Sequence, residues 1–165
     1  MARITFQGDP LNTNGDLPAV GEPAPGFTLV DGNLNDVSLT DFRGKKVLLN
    51  IVPSLDTPVC ATSTKKFNDQ AKQRDDVAVL VISADLPFAQ SRFCSAEQTD
   101  RVRTLSTMRS PDFARDYGVR IEAGPLAGLT ARAVVVIDAG GRVAYTQLVP
   151  EIGDEPDYAR ALAAV

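Results

Sequence analysis

The chain has 165 residues, of which 44% are hydrophobic and 23% charged, the composition of a soluble globular protein and not of a disordered or collagen-like one. Its 17 Lys and Arg against 21 Asp and Glu give a formal charge of −4, which argues against nucleic acid or an anionic membrane surface as the main partner. Histidine is absent, so no Ser-His-Asp triad, Cys-His protease pair, His-ligated haem or His-containing zinc site can be assembled.

The length fits a single domain over residues 1–165. The N-terminus, MARITFQGDPLNTNG, has no apolar stretch long enough for a signal peptide. The apolar runs, Ala133–Ile137 among them, are the size of a strand and not of a membrane span. The expected compartment is the cytoplasm. In that reducing setting two cysteines, Cys60 and Cys94, point to thiol chemistry more than to a structural bridge.

In chain order, Ile4–Gln7 alternates like a strand, and Asn14-Gly15 supplies a turn signal, which together predict a short N-terminal hairpin. Phe27–Val30 predicts a strand closed by Asp31-Gly32, and Ser38 with Asp41 predicts one helical turn before Gly44. Lys46–Val52 is a buried-strand pattern, Pro53–Val59 a loop, and Cys60 to about Arg74 a helix with Phe67 and Ala71 on one face. Val77–Ser83 (VAVLVIS) is a second buried strand, which completes a βαβ unit with parallel strands. Asp85–Gln98 predicts a helix with Pro87 in its first turn, and Pro111–Tyr117 a short helix ended by Gly118. Ala131–Asp138 and Arg142–Leu148 predict a hairpin through Ala139-Gly140-Gly141, and Glu155–Ala164 a closing helix. The order βαβ, helical segments, then ββα predicts an α/β fold of the thioredoxin-like kind, with a mixed central sheet flanked by helices and an N-terminal β-hairpin.

Cys60 lies where strand passes into helix. Thr57 suits an N-cap and Pro58 the first helical position, which puts Cys60 at about N3. There the free backbone amides and the helix dipole favour an anion, so a thiolate is stabilised. Asp56 opposes this, so a further positive group is needed. Lys65 and Lys66 lie more than a turn away. Arg132 heads the strand ARAVVVID, on the face of Val134 and Val136, and that strand has a natural place beside the one leading to Cys60. Two readings of each residue stand at this point. Cys60 is either a reactive thiolate or a small buried hydrophobe. Arg132 either faces the thiolate or snorkels to water from the strand end. Cys94, inside the second predicted helix, is either a redox partner or an inert thiol. It is 34 positions from Cys60, so the two are not a CxxC pair, and a bond between them would require its helix to unravel locally.

Pro53, Thr57 and Cys60 match the PxxxTxxC signature of peroxiredoxins. Together with the segment DLPFAQSRFC, Arg132 and the order of elements, the whole chain resembles the bacterial thiol peroxidase subfamily, the atypical two-cysteine peroxiredoxins. Ser63 stands where many other peroxiredoxins carry a carboxylate, a departure that fits this subfamily. The resemblance implies that Cys60 is the peroxidatic residue, that Thr57 hydrogen-bonds thiolate and peroxide, that Arg132 stabilises both, and that Pro53 shields the site from water. It also implies that Cys94 resolves the sulfenic acid as a Cys60–Cys94 disulfide. Thioredoxin as reductant, a homodimer, a preference for organic hydroperoxides over hydrogen peroxide, and no metal or other cofactor are implied as well. Two other functions use the same residues: a redox-dependent binding protein, and a structural fold with an inert disulfide.

Overall fold

The computed structural model describes residues 1–165. Arg3–Phe6 (β1) and Asp9–Asn12 (β2) form an antiparallel pair separate from the main sheet. The main sheet has seven strands: Thr28–Val30 (β3), Asp36–Ser38 (β4), Lys46–Ile51 (β5), Val77–Ser83 (β6), Val102–Ser106 (β7), Ala133–Ile137 (β8) and Val143–Leu148 (β9). Their order is β4-β3-β7-β6-β5-β8-β9. β5, β6 and β7 run parallel, and β8 pairs antiparallel with β5, so the sheet is mixed. The helices are Pro58–Ala71 (α1), Pro87–Glu97 (α2), Asp112–Asp116 (α3) and Tyr158–Ala163 (α4). None is long and apolar enough to cross a membrane.

The period-two geometry of a strand sends alternate side chains to opposite faces of the sheet. Val47, Leu49 and Ile51 of β5, with Ala133, Val135 and Ile137 of β8, enter one core beside Phe113 and Tyr117. Leu48, Val134 and Val136 enter the other, beneath Phe67 and Cys60 of α1. Because Arg132 shares the parity of Val134 and Val136, the sheet delivers it to the α1 side.

The predicted hairpin is present, but its turn is Gln7-Gly8 and not Asn14-Gly15. Asn14 instead ties the loops, its Nδ2 donating to the Arg115 carbonyl at 3.0 Å and its Oδ1 accepting from Arg120 N at 3.0 Å. Two strands lie outside the predicted elements: β4 is only three residues long, and β7 falls between the helices predicted at Asp85–Gln98 and Pro111–Tyr117. The single turn after Ser38 is a 3₁₀ helix, Leu39–Phe42, and the Asp41 carboxylate accepts from Ser38 N at 2.9 Å. α1 begins at Pro58, the first helical position read from Thr57-Pro58, and ends at Ala71, short of Arg74, while the last helix begins later than predicted, at Tyr158, where the Asp157 side chain caps it by accepting from Arg160 N at 3.0 Å. Gly118 does end α3: its φ is +69°, and a Cβ there would sit 2.0 Å from the Asp16 carbonyl oxygen.

Candidate active site

β5 is the central strand of the sheet's buried middle, and its C-terminal end projects the loop that carries Pro53 and Thr57 into α1. Pro53 is buried and Cys60 has no exposed surface. Thr57 is the α1 N-cap by its extended backbone, and Pro58 occupies the first helical turn, as the sequence predicts. The cap makes no side-chain hydrogen bond to the helix. Its hydroxyl donates instead to the Ser54 carbonyl at 2.9 Å. The contact expected from Thr57 to the Cys60 sulfur is therefore not made, because the single hydroxyl proton is committed to the loop.

Arg132 does meet Cys60. Its Nη1 donates to the Cys60 Sγ at 3.1 Å, and its Nε donates to the Ile152 carbonyl at 3.0 Å. The residue is only 2% exposed, which removes the alternative of a side chain snorkelling to water. No carboxylate forms an ion pair with it. A buried guanidinium is costly to desolvate unless an anion faces it. The only side-chain atom it hydrogen-bonds is the Cys60 sulfur.

The two nearby lysines are engaged elsewhere. Lys65 pairs with Glu97, and Lys66 Nζ lies 2.9 Å from Glu155 Oε1 and 4.8 Å from the centre of the Tyr158 ring. Tyr158 also donates to Glu155 at 2.9 Å and packs edge-on against Phe67. The hydrogen bond from Lys66, then that from Tyr158, holds the Glu155 carboxyl below its usual range, with Arg132 adding through space. Burial, then the bond to Glu155, pushes the Tyr158 phenol upward.

Several residues that organise the site were not singled out from the sequence. Asn50, a polar residue inside an apolar strand, donates to Ser63 Oγ at 3.3 Å, and Ser63 donates to the Cys60 carbonyl at 3.1 Å. Asp85 accepts from Ser54 Oγ, Leu55 N and Ser83 Oγ, each at 2.7 Å, and so fixes the loop before Cys60 to the start of α2. Asn50 could have been found as the break in KVLLNIV. Asp85 carries no comparable signal, because an acidic residue before a helix reads as a cap; the α2 cap is Leu86.

Cys94 is a free thiol, as is Cys60, and is half-buried. Its sulfur lies 3.9 Å from Thr104 Oγ1 of β7. It shares a surface hollow with Lys72, the C-cap of α1, while Glu97 of its own helix pairs with Lys65 of α1. The structure thus joins Arg132 to Cys60 and keeps Cys94 apart from both.

Residues 19–162 match the Redoxin family model. The chain is 58% identical over 165 residues to the thiol peroxidase of Mycobacterium tuberculosis, covering 100% of this chain and 99% of that protein. It is 53% identical to the thiol peroxidase of Corynebacterium glutamicum, again over 100% of this chain and 99% of the relative. Among solved structures it is similar to a peroxiredoxin-like protein from Aquifex aeolicus, with a TM-score of 0.93 and 40% identity over 100% of this chain and 98% of that one. It is also similar to a thiol peroxidase from Chromobacterium violaceum, with a TM-score of 0.90 and 26% identity over 98% of this chain and 93% of that one.

Proposed function

Because the chain belongs to the Redoxin family and within it to the thiol peroxidases, we propose that Cys60 is its peroxidatic thiolate, Arg132 the cation serving sulfur and peroxide, and Cys94 the resolving thiol. The observation that carries this reading is the 3.1 Å contact from the buried Arg132 to the Cys60 sulfur. The thiolate attacks the terminal oxygen of the hydroperoxide, the O–O bond breaks, and its electron pair leaves with the other oxygen, the one bonded to the organic group (or to the second hydrogen of hydrogen peroxide), which takes up a proton as alcohol or water. Cys60 is left as a sulfenic acid. Arg132 Nη2 makes no hydrogen bond within the protein, which leaves a donor for the leaving oxygen as its charge grows. Thr57, with its proton given to Ser54, offers lone pairs to the peroxide O–H and so positions the oxygen to be attacked. Pro53 covers the site from water.

The Cys94 thiol then displaces water from the sulfenic acid and forms the Cys60–Cys94 disulfide. Disulfide geometry needs the two Cα atoms within about 7 Å, so α2 must open. It is suited to this: it buries only Pro87 and Gln90, leaves Phe88 exposed, and ends at Gln98 in a left-handed conformation with φ +54°. Its N-terminal half is held by Asp85 and by the buried Gln90, whose Nε2 donates to Ser83 Oγ and to the Leu105 carbonyl, each at 3.0 Å. The chain after it is anchored by Asn68 Oδ1, which accepts from Arg101 N at 2.7 Å and Val102 N at 3.1 Å.

A dithiol reductant restores both thiols by exchange. That the reductant is thioredoxin, that the protein is a homodimer acting in the cytoplasm, and that organic hydroperoxides are preferred are readings supported by the family. An alkyl group has an apolar wall to meet in the groove of about 340 Å³ lined by Leu55, Ala89 and Phe93 beside the Pro53–Asp56 loop.

The resolving role has a direct test. Cys94→Ser should consume one equivalent of peroxide and then stall with thioredoxin as reductant, its sulfenic acid trapped by dimedone. Sustained turnover of that variant at the wild-type rate would remove Cys94 from the cycle.

A further inference from the structure

The Arg132 guanidinium is fixed by two contacts, the Cys60 sulfur and the Ile152 carbonyl, and the second is itself held from a distance in sequence. Ile152 N donates to the Thr5 carbonyl at 2.9 Å, and Thr5 N donates to the Pro150 carbonyl at 2.7 Å, so residues 150–152 lie against β1 as an added strand. The Glu151 side chain completes the clamp. Its Oε2 accepts from the Thr5 hydroxyl and from Gly8 N at 3.3 Å, and its Oε1 accepts from Gln7 N at 3.0 Å and Gly153 N at 3.3 Å. Gln7 and Gly8 have φ of +52° and +86°, a pair of left-handed residues that turns both amides toward the carboxylate. Such a conformation is uncommon for a residue with a side chain, and at Gln7 it coincides with a bond to Glu151.

We propose that Glu151 is a positioning residue for the peroxidase reaction: gripped by the β1–β2 turn, it holds the Ile152 carbonyl that orients Arg132 on Cys60. The proposal rests on the reading of Arg132 given above. It gives the N-terminal hairpin a part in the chemistry, although neither of its strands touches Cys60 or Arg132. Without the clamp, the 150–153 segment keeps its backbone bonds to Thr5 but loses the carboxylate that fixes its angle. The guanidinium then loses the backbone acceptor that aims it at the sulfur.

The test is a double-mutant cycle on the second-order rate of Cys60 oxidation in a single turnover, a step that does not involve Cys94. Glu151→Ala should slow it by about 10- to 100-fold, the scale of a small misplacement of a reacting group. Glu151→Gln, which keeps acceptor capacity, should recover part of the rate. In an Arg132→Met background, Glu151→Ala should cost nothing further. Thr5→Val, which removes one donor to the same carboxylate, should show a smaller loss that is likewise absent in the Arg132→Met background; it decides the matter if Glu151→Ala does not fold. Wild-type rates in the Glu151 and Thr5 variants, or equal losses with and without Arg132, would overturn the proposal. A wild-type rate in Arg132→Met alone would instead overturn the reading of Arg132 on which it rests.

Discussion

Replacing Cys60 with serine is expected to lower peroxide consumption to the uncatalysed rate while leaving the fold in place. The substitution is close to isosteric, so the core beneath α1 keeps its packing against Val134, Val136 and Phe67. Arg132 can still donate to the new hydroxyl. What is lost is the nucleophile: a serine hydroxyl stays protonated at neutral pH, and no neighbouring histidine exists to deprotonate it. Peroxide disappearance followed with thioredoxin as reductant, beside a thermal melt, checks both halves. Retained turnover in a folded Cys60→Ser protein would mean that another group reacts with peroxide.

The second large effect belongs to Arg132. Arg132→Met keeps the volume of the side chain and removes the charge. The sulfur loses its only hydrogen-bond donor from a cation, and the leaving oxygen loses its stabilising partner. Removal of one such preorganised donor typically lowers a rate by about 10²- to 10³-fold, and that is the fall expected in the peroxide step. Arg132→Lys keeps a cation but cannot bond Ile152 and Cys60 together through a planar fork, so it should fall between the two. A stopped-flow measurement on the reduced protein isolates this step. If lysine performed as poorly as methionine, the fork geometry and not the charge would govern the step.

The sheet was legible in the sequence where burial is two-sided. KVLLNI, VAVLVIS and AVVVI are predominantly apolar runs, and the structure places them side by side as β5, β6 and β8. The helix start at Thr57-Pro58 and the strand parity of Arg132 with Val134 made the pairing of Cys60 with Arg132 one of two open readings, and the 3.1 Å contact decides between them. β7 was hidden because VRTLS is short and mixes polar and apolar residues. β4 was hidden by its shortness. The turn of the hairpin was misplaced because Asn14-Gly15 is a strong local signal, while Gln7 takes a left-handed conformation that its residue type does not announce and that Glu151 holds from across the fold. Thr57 shows the same limit at the site. Its identity and its capping position are local, but the direction of its hydroxyl depends on the Ser54 carbonyl three residues back. The clamp between Glu151 and Thr5 and the hub at Asp85 join residues far apart in the chain or across a loop, and no spacing rule points to them.

The claim that most needs testing is that two free thiols on different helices, Cys60 on α1 and Cys94 on α2, act in one chain as a single redox couple. Free thiols should be counted in the reduced protein before and within seconds after one equivalent of cumene hydroperoxide. A fall from two thiols to none, with the protein still migrating as a monomer on a non-reducing denaturing gel, is the result expected for a rapid Cys60–Cys94 bond formed as α2 opens. Persistence of both thiols would contradict the peroxidase cycle, and loss of thiols with a shift to dimer on the gel would contradict its intramolecular resolution.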